Sequence, residues 1–222
     1  MKLFNILCAG AVLSIPNPCP TSPADIPGGV TGTVFTMDDS LGGDWIPLSD
    51  AVVLIERSQP DSVIVPETVE IDVSYGAVKP KLQVAQPGAP LRITATGTRP
   101  TRLTARTNSS HEIFTIALPL PSLEVLKRLP ARGIITFHNI ELDPDSILAR
   151  IIVTPHLGWT KTDTSGTYLI PGIPPKCHSI WCYDPTRGSV FDTVCVEPAR
   201  AVSHDLFLPG FLFSEPYNEG DD

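Results

Sequence analysis

The chain has 222 residues, 42% of them hydrophobic, which is enough for one large core or two small ones. Its 24 prolines and 16 glycines leave little uninterrupted length for helices, because proline lacks the amide donor that a helix interior needs. The formal net charge of -8 opposes binding to phosphate backbones and anionic lipid surfaces, so no nucleic acid partner is expected.

The N-terminal segment is typical of a signal peptide. Lys2 precedes a mainly apolar run at residues 3–15, which is too short to span a bilayer as a mature helix. Ser22 and Ala24 are small residues that suit cleavage before Asp25, so residues 1–24 are predicted to be removed. The mature protein is then expected to have no membrane span and to be periplasmic, secreted or attached to the cell surface. Lipid attachment at Cys19 is the weaker alternative.

Strand-like segments recur at short intervals through the rest of the chain. Each is rich in β-branched or aromatic residues and is bounded by Gly, Pro or Asp. No connection carries the helical period of strand-helix-strand units, so the pattern predicts an all-β protein made of sandwiches or barrels. The predicted strands cover residues 30–36, 51–56, 69–75, 81–85, 91–96, 112–117, 133–139, 149–154, 168–173, 178–183, 190–196 and 204–208.

One short helix is predicted at residues 122–128. Ser122 suits its N-cap, Lys127 and Arg128 suit its last turn, and Pro130 would stop it. Two turns make only a connector between strands.

Three cysteines remain after the predicted cleavage: Cys177, Cys182 and Cys195. In an exported protein the simplest arrangement is one disulfide and one buried thiol, with an intermolecular bond as the alternative. A two-residue type II′ turn at residues 188–189 would place Cys182 opposite Cys195, so this pair is the predicted disulfide. Because Pro185 interrupts that ladder, pairing of Cys177 with Cys195 remains open.

The C-terminal residues 210–222 are predicted to form a solvated acidic tail, since four of the last eight residues are acidic. The segment at residues 207–213, which overlaps the start of this tail, contains five large apolar residues. It is interpreted either as a contact to a partner chain or as a terminal strand that covers the core.

Two distant segments resemble the two ends of a carboxypeptidase-regulatory-like, transthyretin-like sandwich. The first is Gly-Thr-Val at 32–34 followed by Pro-Leu-Ser-Asp-Ala-Val-Val-Leu-Ile at 47–55. The second is Thr-Asp-Thr-Ser-Gly-Thr-Tyr-Leu-Ile at 162–170 followed by Gly-Ile-Pro-Pro at 172–175. The resemblance implies that residues 30–57 plus 157–209 form one sandwich. Asp163 and Gly166 are explained as turn residues without any ligand.

The order of residues 69–156 resembles bacterial plastocyanin-like proteins of the methylamine-utilisation type. This implies a cupredoxin-like Greek-key β-sandwich at residues 62–156, inserted in the transthyretin-like sandwich. In that family the copper ligands come from a Pro-Thr-x-His-Asn-Val type segment and a Cys-x-x-His-x-x-Met loop.

The corresponding segments here lack the copper ligands. They read Pro-Thr-Arg-Leu-Thr at 100–104 and His-Asn-Ile-Glu-Leu-Asp-Pro at 138–144, so that Leu103, His138, Glu141 and Pro144 occupy the ligand positions. A blue-copper centre needs a thiolate and two imidazoles. If His111 stands for the family's histidine, one imidazole is present, yet the thiolate is still missing. The copper expected for the family is therefore not expected in this protein, and neither is another cofactor.

The main alternative is a different metal site with nitrogen and oxygen ligands. His138, Glu141 and Asp143, together with His111 or His156, would suit zinc or copper(II). The competing interpretation is that His138 packs at the end of a strand and that the two carboxylates are solvated loop residues.

No catalytic motif is present in the sequence, neither a nucleophile elbow nor a phosphate-binding glycine loop, so the protein is predicted not to be an enzyme. We expect an extracytoplasmic, non-catalytic protein with a degenerate cupredoxin site and a structural or protein-interaction role.

A carbohydrate-binding module is the second alternative, because Trp45 and Trp159 flank predicted loops and could be exposed. Trp181 alternates within an apolar strand and is expected in the core. The partner is thus an unknown protein or glycan.

Overall fold

The computed structural model describes residues 26–38, 43–57 and 66–209, so the predicted signal peptide at 1–24 and acidic tail at 210–222 lie outside the described residues. The described chain is all-β, which confirms the predicted fold class. Its strands are β1 (Gly28–Asp38), β2 (Asp44–Pro47), β3 (Val52–Glu56), β4 (Val69–Ser74), β5 (Ala77–Lys79), β6 (Leu82–Ala85), β7 (Pro90–Ala95), β8 (Thr101–Thr107), β9 (Glu112–Leu118), β10 (Glu124–Arg128), β11 (Gly133–Asn139), β12 (Asp143–Val153), β13 (His156–Lys161), β14 (Thr167–Ile173), β15 (Cys177–Asp184), β16 (Gly188–Cys195), β17 (Ala201–Ser203) and β18 (Leu206–Leu208).

The first sheet is built around β1, which pairs antiparallel with β14 and β2 and parallel with β17 and β18. β17 and β18 keep the same register against β1, so they form one interrupted edge strand. Residues of β1 alternate between buried and less buried positions, as expected for a strand with one face on a core. Val30 and Val34 face that core.

The second sheet has the order β13-β3-β15-β16 and packs on the first. Val53 and Ile55 of β3 join Tyr168 and Ile170 of β14 in the core between the two sheets. These two sheets form the first sandwich, which is made from both ends of the described chain.

The second sandwich is formed by β4 to β12, between β3 and β13 of the first. Its sheets have the orders β6-β12-β11-β8-β9 and β10-β7-β4-β5, which we call the third and fourth sheets. Its core includes Ile71, Ile93, Leu103 and Phe137, all at most 2% exposed.

The two sandwiches share a third buried cluster where the second sheet packs on the third. β3 reads Val-Val-Leu-Ile-Glu, and a strand that is apolar on both faces is expected to be covered on both. Accordingly, Val53 and Ile55 face the first core, whereas Val52 and Leu54 face the second sandwich. The members of the third cluster are Val52, Leu54, Leu82, Val84, Ile134, Ile152, Trp181 and Tyr183.

The helix predicted at residues 122–128 is wrong, because this segment contains the strand β10. Glu124 to Arg128 pair antiparallel with Thr94 to Pro90 of β7. Ser122 has a φ of 61°, which is not the extended backbone of a helix N-cap. The alternation of Val125 and Lys127, both partly buried, with exposed neighbours has the period of a strand. In a five-residue segment that period was outweighed by the apparent cap and stop signals.

The predicted disulfide between Cys182 and Cys195 is also wrong: Cys177 and Cys195 are bonded, and Cys182 is a buried free thiol. The error lies in the turn, since Asp184 faces Gly188 and three residues lie between them. The Asp184 carboxylate accepts hydrogen bonds from the amides of Thr186 and Arg187, both at 2.8 Å, and from the Thr186 hydroxyl. This turn places Cys182 opposite Val190 and Cys177 opposite Cys195.

Candidate functional site

The segments that resemble the copper-binding loops lie on β8 and β11, which are neighbours in the third sheet. Leu103 is opposite Asn139, whereas His138 is opposite Thr104. Successive residues of a strand point to opposite faces of the sheet. Leu103 therefore packs in the core of the second sandwich, where it is fully buried, and His138 points to the other face. These two positions do not converge on one ion.

His138 is packed into the sheet and is only 6% exposed. Its Nε2 lies 2.9 Å from the Thr136 hydroxyl, and its Nδ1 has no hydrogen-bond partner of normal geometry among the described residues. Burial, and next the positive charge of Arg106, lower the pKa of His138 below its ordinary value. The imidazole is therefore neutral at neutral pH.

The other ligand positions near His138 are exposed and lie in the turn between β11 and β12 or at the start of β12. Glu141, Asp143 and Pro144 are all exposed. The Glu141 amide donates to Asn139 Oδ1 at 3.0 Å, and the Asp145 amide donates to Asp143 Oδ1 at 3.1 Å. Such side-chain to backbone bonds shape a turn without any ligand.

His111 and His156 do not complete a metal site with these residues. His111 is exposed between β8 and β9, and its amide donates to the Thr107 hydroxyl at 3.1 Å. His156 begins β13 in the first sandwich. Throughout the described ranges, no group of three or more His, Cys, Asp or Glu side chains could hold a metal ion.

The donor set also does not fit type 1 copper, which needs a thiolate beside two imidazoles. Leu103 supplies no donor atom. The one thiol of the described part, Cys182, lies in the core of the first sandwich and is fully buried. Burial, with the nearby charge of Asp184, raises the pKa of this thiol far above its ordinary value. Among the described residues, the positions that resemble the copper ligands therefore do not supply this donor set.

A groove of about 610 Å³ lies between the two sandwiches. One wall consists of Arg57 and residues 156–159 of β13, and the other consists of residues 67–70 and 83–86. β13 and β6 are edge strands of the second and third sheets. Trp159 lines this groove and is 37% exposed.

His156 lines this groove, and one of its ring nitrogens is an acceptor. Its Nδ1 lies 2.9 Å from the Thr154 carbonyl oxygen, which can only accept, so Nδ1 carries the proton. Burial and the positive charge of Arg57 lower the pKa of His156, although the Thr154 carbonyl acts in the opposite direction. The imidazole is thus neutral at neutral pH with a lone pair on Nε2.

A cluster of aromatic rings lies on the outer face of the first sheet. Phe35 of β1 stacks on Phe207 of β18 with ring centroids 5.2 Å apart, and Trp45 of β2 meets Phe207 edge-on at 5.1 Å. Trp45 is 42% exposed and Phe207 is 47% exposed. We call Phe35, Trp45 and Phe207 the aromatic face.

The sequence indicated that Trp45 and Trp159 are exposed and that Trp181 is buried, but not which residues surround each ring. Phe35 and Phe207 lie 172 residues apart and meet because β1 and β18 pair in parallel. Their outward direction could have been read from the alternation of Val34, Phe35 and Thr36. Nothing local to residues 67–70 or 83–86 indicates that they face His156.

None of the described residues forms a helix of the length and apolarity needed to cross a bilayer. No family model matches the sequence. No curated protein matches it either.

Several solved structures are similar to part of the chain. A purple cupredoxin from Nitrosopumilus maritimus is 11% identical with a TM-score of 0.32, over 39% of this chain and 99% of that one. A dithionite-reduced auracyanin from the photosynthetic bacterium Roseiflexus castenholzii is 14% identical with a TM-score of 0.32, over 40% of this chain and 97% of that one. A methionine-to-alanine mutant of amicyanin with Cu(I) is 10% identical with a TM-score of 0.31, over 46% of this chain and 97% of that one. Each of these cupredoxins is thus matched along almost its whole length by less than half of this chain.

Proposed function

We propose that this protein is an extracytoplasmic, non-catalytic β-sandwich protein that binds a partner protein through its aromatic face. The observation that carries the proposal is the cluster of half-buried Phe35 with exposed Trp45 and Phe207 on the outer face of the first sheet. Exposed aromatic side chains that lie together are typical of protein contact surfaces, because they bury a large apolar area at a small cost in side-chain entropy.

The net charge of the chain favours a partner other than a second copy. The whole chain carries a net charge of -8, so two copies repel each other at long range. The best partner surface therefore has an apolar centre with basic residues around it.

The location outside the cytoplasm is supported by the signal-peptide pattern and by the disulfide. The bond between Cys177 and Cys195 closes the outer hairpin of the first sandwich. Such structural disulfides form and persist in oxidising compartments. A fusion of the N-terminal segment to alkaline phosphatase, which is active only outside the cytoplasm, is expected to give active enzyme.

The proposal includes loss of the copper chemistry. Of the ligand positions, Leu103 is apolar, His138 points to the other face of the third sheet, and Glu141 lies in an exposed turn. Adding copper(II) to the purified protein is expected to give no intense blue absorption band. A blue band that disappears in His138→Gln would overturn this part of the proposal.

The partner contact is tested by capture from an envelope extract of the cells that produce the protein. The double variant Trp45→Ser with Phe207→Ser removes the aromatic face, and its exposed positions leave the core intact. Leu126→Ser is the matched control, since Leu126 is 67% exposed on the fourth sheet. We expect one set of proteins to be captured by wild type and the control but not by the double variant, and to be released at high salt. Equal capture by all three baits would refute the role of the aromatic face.

A further inference from the structure

We propose that the groove between the two sandwiches binds a neutral saccharide, with Trp159 as the ring on which one sugar unit stacks. This site is separate from the aromatic face. The aromatic face is the outer side of the first sheet, whereas the groove lies beside β13 at the edge of the second sheet. The proposal therefore stands or fails independently of the partner contact.

The groove is preformed, because a hydrogen bond joins its two walls and an ion pair joins the two sandwiches. Gln86 Nε2 donates to the His156 carbonyl at 3.0 Å, which connects β13 directly to the second sandwich. Arg132 of the second sandwich pairs with Glu56 of β3 at 2.7 Å. The third buried cluster holds the second and third sheets together beside the groove. A ligand would not have to order this site, and that favours binding.

The walls supply the hydrogen-bond groups that hydroxyl-rich ligands need. His156 Nε2 is an acceptor, and Gln83 donates its Nε2 to the Glu70 carbonyl, which leaves its Oε1 to accept. Glu67 is exposed on the same wall. Each sugar hydroxyl can donate and accept at once, so a set of planar acceptors beside an aromatic ring matches a pyranose, which has polar edges and an apolar C–H face.

The charges of the groove disfavour ionic ligands. Glu67 and Glu70 would repel a phosphate, a sulfate or an acidic sugar, whereas Arg57 opposes a cation. Arg92 compensates Glu70 through an ion pair of 2.7 Å. The described residues also hold no group of three metal ligands. A neutral ligand is repelled neither by the two carboxylates nor by Arg57.

The test is a printed array of neutral, sulfated and sialylated glycans that also carries extended peptides, probed with the full mature protein. Each glycan that binds is then titrated as the soluble oligosaccharide by calorimetry. Trp159→Ala is expected to lose roughly tenfold or more in affinity. Tyr75→Ala is the matched control, because Tyr75 is an exposed aromatic residue outside both the groove and the aromatic face, and this variant is expected to bind like wild type. Trp45→Ala tests the aromatic face as the alternative site for the sugar. Glu67→Ala changes an exposed groove residue, so it tests the site even if Trp159→Ala folds poorly.

The outcomes separate the alternatives. Neutral glycans bound by wild type and Tyr75→Ala, but weakly by Trp159→Ala and Glu67→Ala, support the proposal. Failure of wild type to bind any glycan overturns it, as does binding restricted to sulfated or sialylated glycans. Binding of peptides alone would instead assign the groove to strand addition along the free edge of β13. Loss of binding in Trp45→Ala with retention in Trp159→Ala would move the sugar to the aromatic face and overturn the groove as its site.

Discussion

His138 shows how a single residue can suggest a metal site in the sequence and be something else in the fold. Its imidazole is buried on the face of the third sheet that also carries Thr136, which lies between Arg106 and Arg150 in the ladder. Because this residue is buried next to two positive charges, its charged form is disfavoured. His138 is thus a neutral imidazole packed within the third sheet.

The lowered pKa of His138 predicts a loss of stability in mild acid. Below the ordinary value of 6.5, the unfolded chain takes up a proton that the folded protein does not, so the free energy of unfolding falls as the pH drops from 6.5 towards the folded pKa. His138→Gln lacks this proton uptake, and its free energy of unfolding is expected to depend less on pH. Urea unfolding at a series of pH values measures both slopes.

The comparison contains its own control. Well above pH 6.5 the His138 ring is neutral in both the folded and the unfolded chain, so the stability curves of wild type and His138→Gln should run parallel there. His156 has a lowered pKa of similar origin, so the double variant with His156→Gln is expected to be flatter still. Curves that stay parallel below pH 6.5 as well would show that His138 takes up its proton equally in both states.

Cys182 is predicted to be chemically inert in the folded protein. The thiol is fully buried, and burial raises its pKa, so almost no thiolate is present to react. Of the three cysteines in the described residues, iodoacetamide should label none in the native protein and Cys182 alone in urea without reductant. Peptide mapping should then recover Cys177 and Cys195 in one linked peptide pair. Fast labelling of the native protein, or a bond to Cys182, would contradict the structure.

The sequence could predict which donor atoms are missing, but not where the remaining side chains point. The absence of a thiolate among residues 138–144 is a property of composition and needs no structure. The direction of Leu103 depends on its being opposite Asn139, and a register cannot be read from either strand alone. The same limit applies to Glu67 and His156, which are 89 positions apart in the chain and share a groove only through the packing of two sandwiches.

At the level of elements, the hairpin of β15 and β16 depends on one carboxylate. Asp184 is 8% exposed and accepts three hydrogen bonds from the turn that it begins. Gly188 closes the turn with a φ of 89°, where a side chain would be strained. This turn fixes the register that brings Cys177 to Cys195.

Asp184→Ala is predicted to destabilise the protein by about 1–3 kcal/mol, because two amides and a hydroxyl lose their acceptor in a partly buried turn. Chemical unfolding under oxidising conditions measures the change. Asp145→Ala is the matched control, since Asp145 uses only its amide in a described hydrogen bond, and it is expected to change stability by less than about 0.5 kcal/mol. Equal effects of the two substitutions would show that the Asp184 bonds do not hold the turn.

The sequence predicted the strands with long apolar or alternating runs, such as β1, β11 and β15. It predicted no strand at β2, β5, β8, β13 or β17. The misread segment, β10, has five residues and lies at the edge of the fourth sheet, where Leu126 is exposed. Short edge strands carry little periodicity, so cap-like residues around them dominate a local reading. Pairing with β7 decided the outcome, and that information is not local.

At the scale of the whole molecule, the two sandwiches are joined by a core of their own. Leu54 and Trp181 are at most 1% exposed and lie between the second and third sheets, so each sandwich covers apolar surface of the other. The hint in the sequence was the run Val-Val-Leu-Ile in β3, which has no polar face. What it could not show was that the cover on the second face comes from the inserted sandwich.

This shared core predicts that the protein unfolds in one transition and that damage to the shared core separates the sandwiches. Leu54→Ala removes a fully buried side chain from the interface and is expected to cost about 2–5 kcal/mol. Because Leu54 lies in the cluster between the sandwiches, its loss weakens their coupling more than either inner core. Calorimetry should show a single heat-absorption peak for wild type and a broadened or split peak for Leu54→Ala.

Leu91→Ala is the matched control, since Leu91 is equally buried but belongs to the inner core of the second sandwich. It should lower the transition temperature as well, yet Leu54→Ala alone should reduce protection of the β3 amides from hydrogen exchange without a matching loss in β7. If wild type itself melts in two well-separated steps, the third cluster does not couple the sandwiches, and the groove between them cannot be regarded as a rigid site.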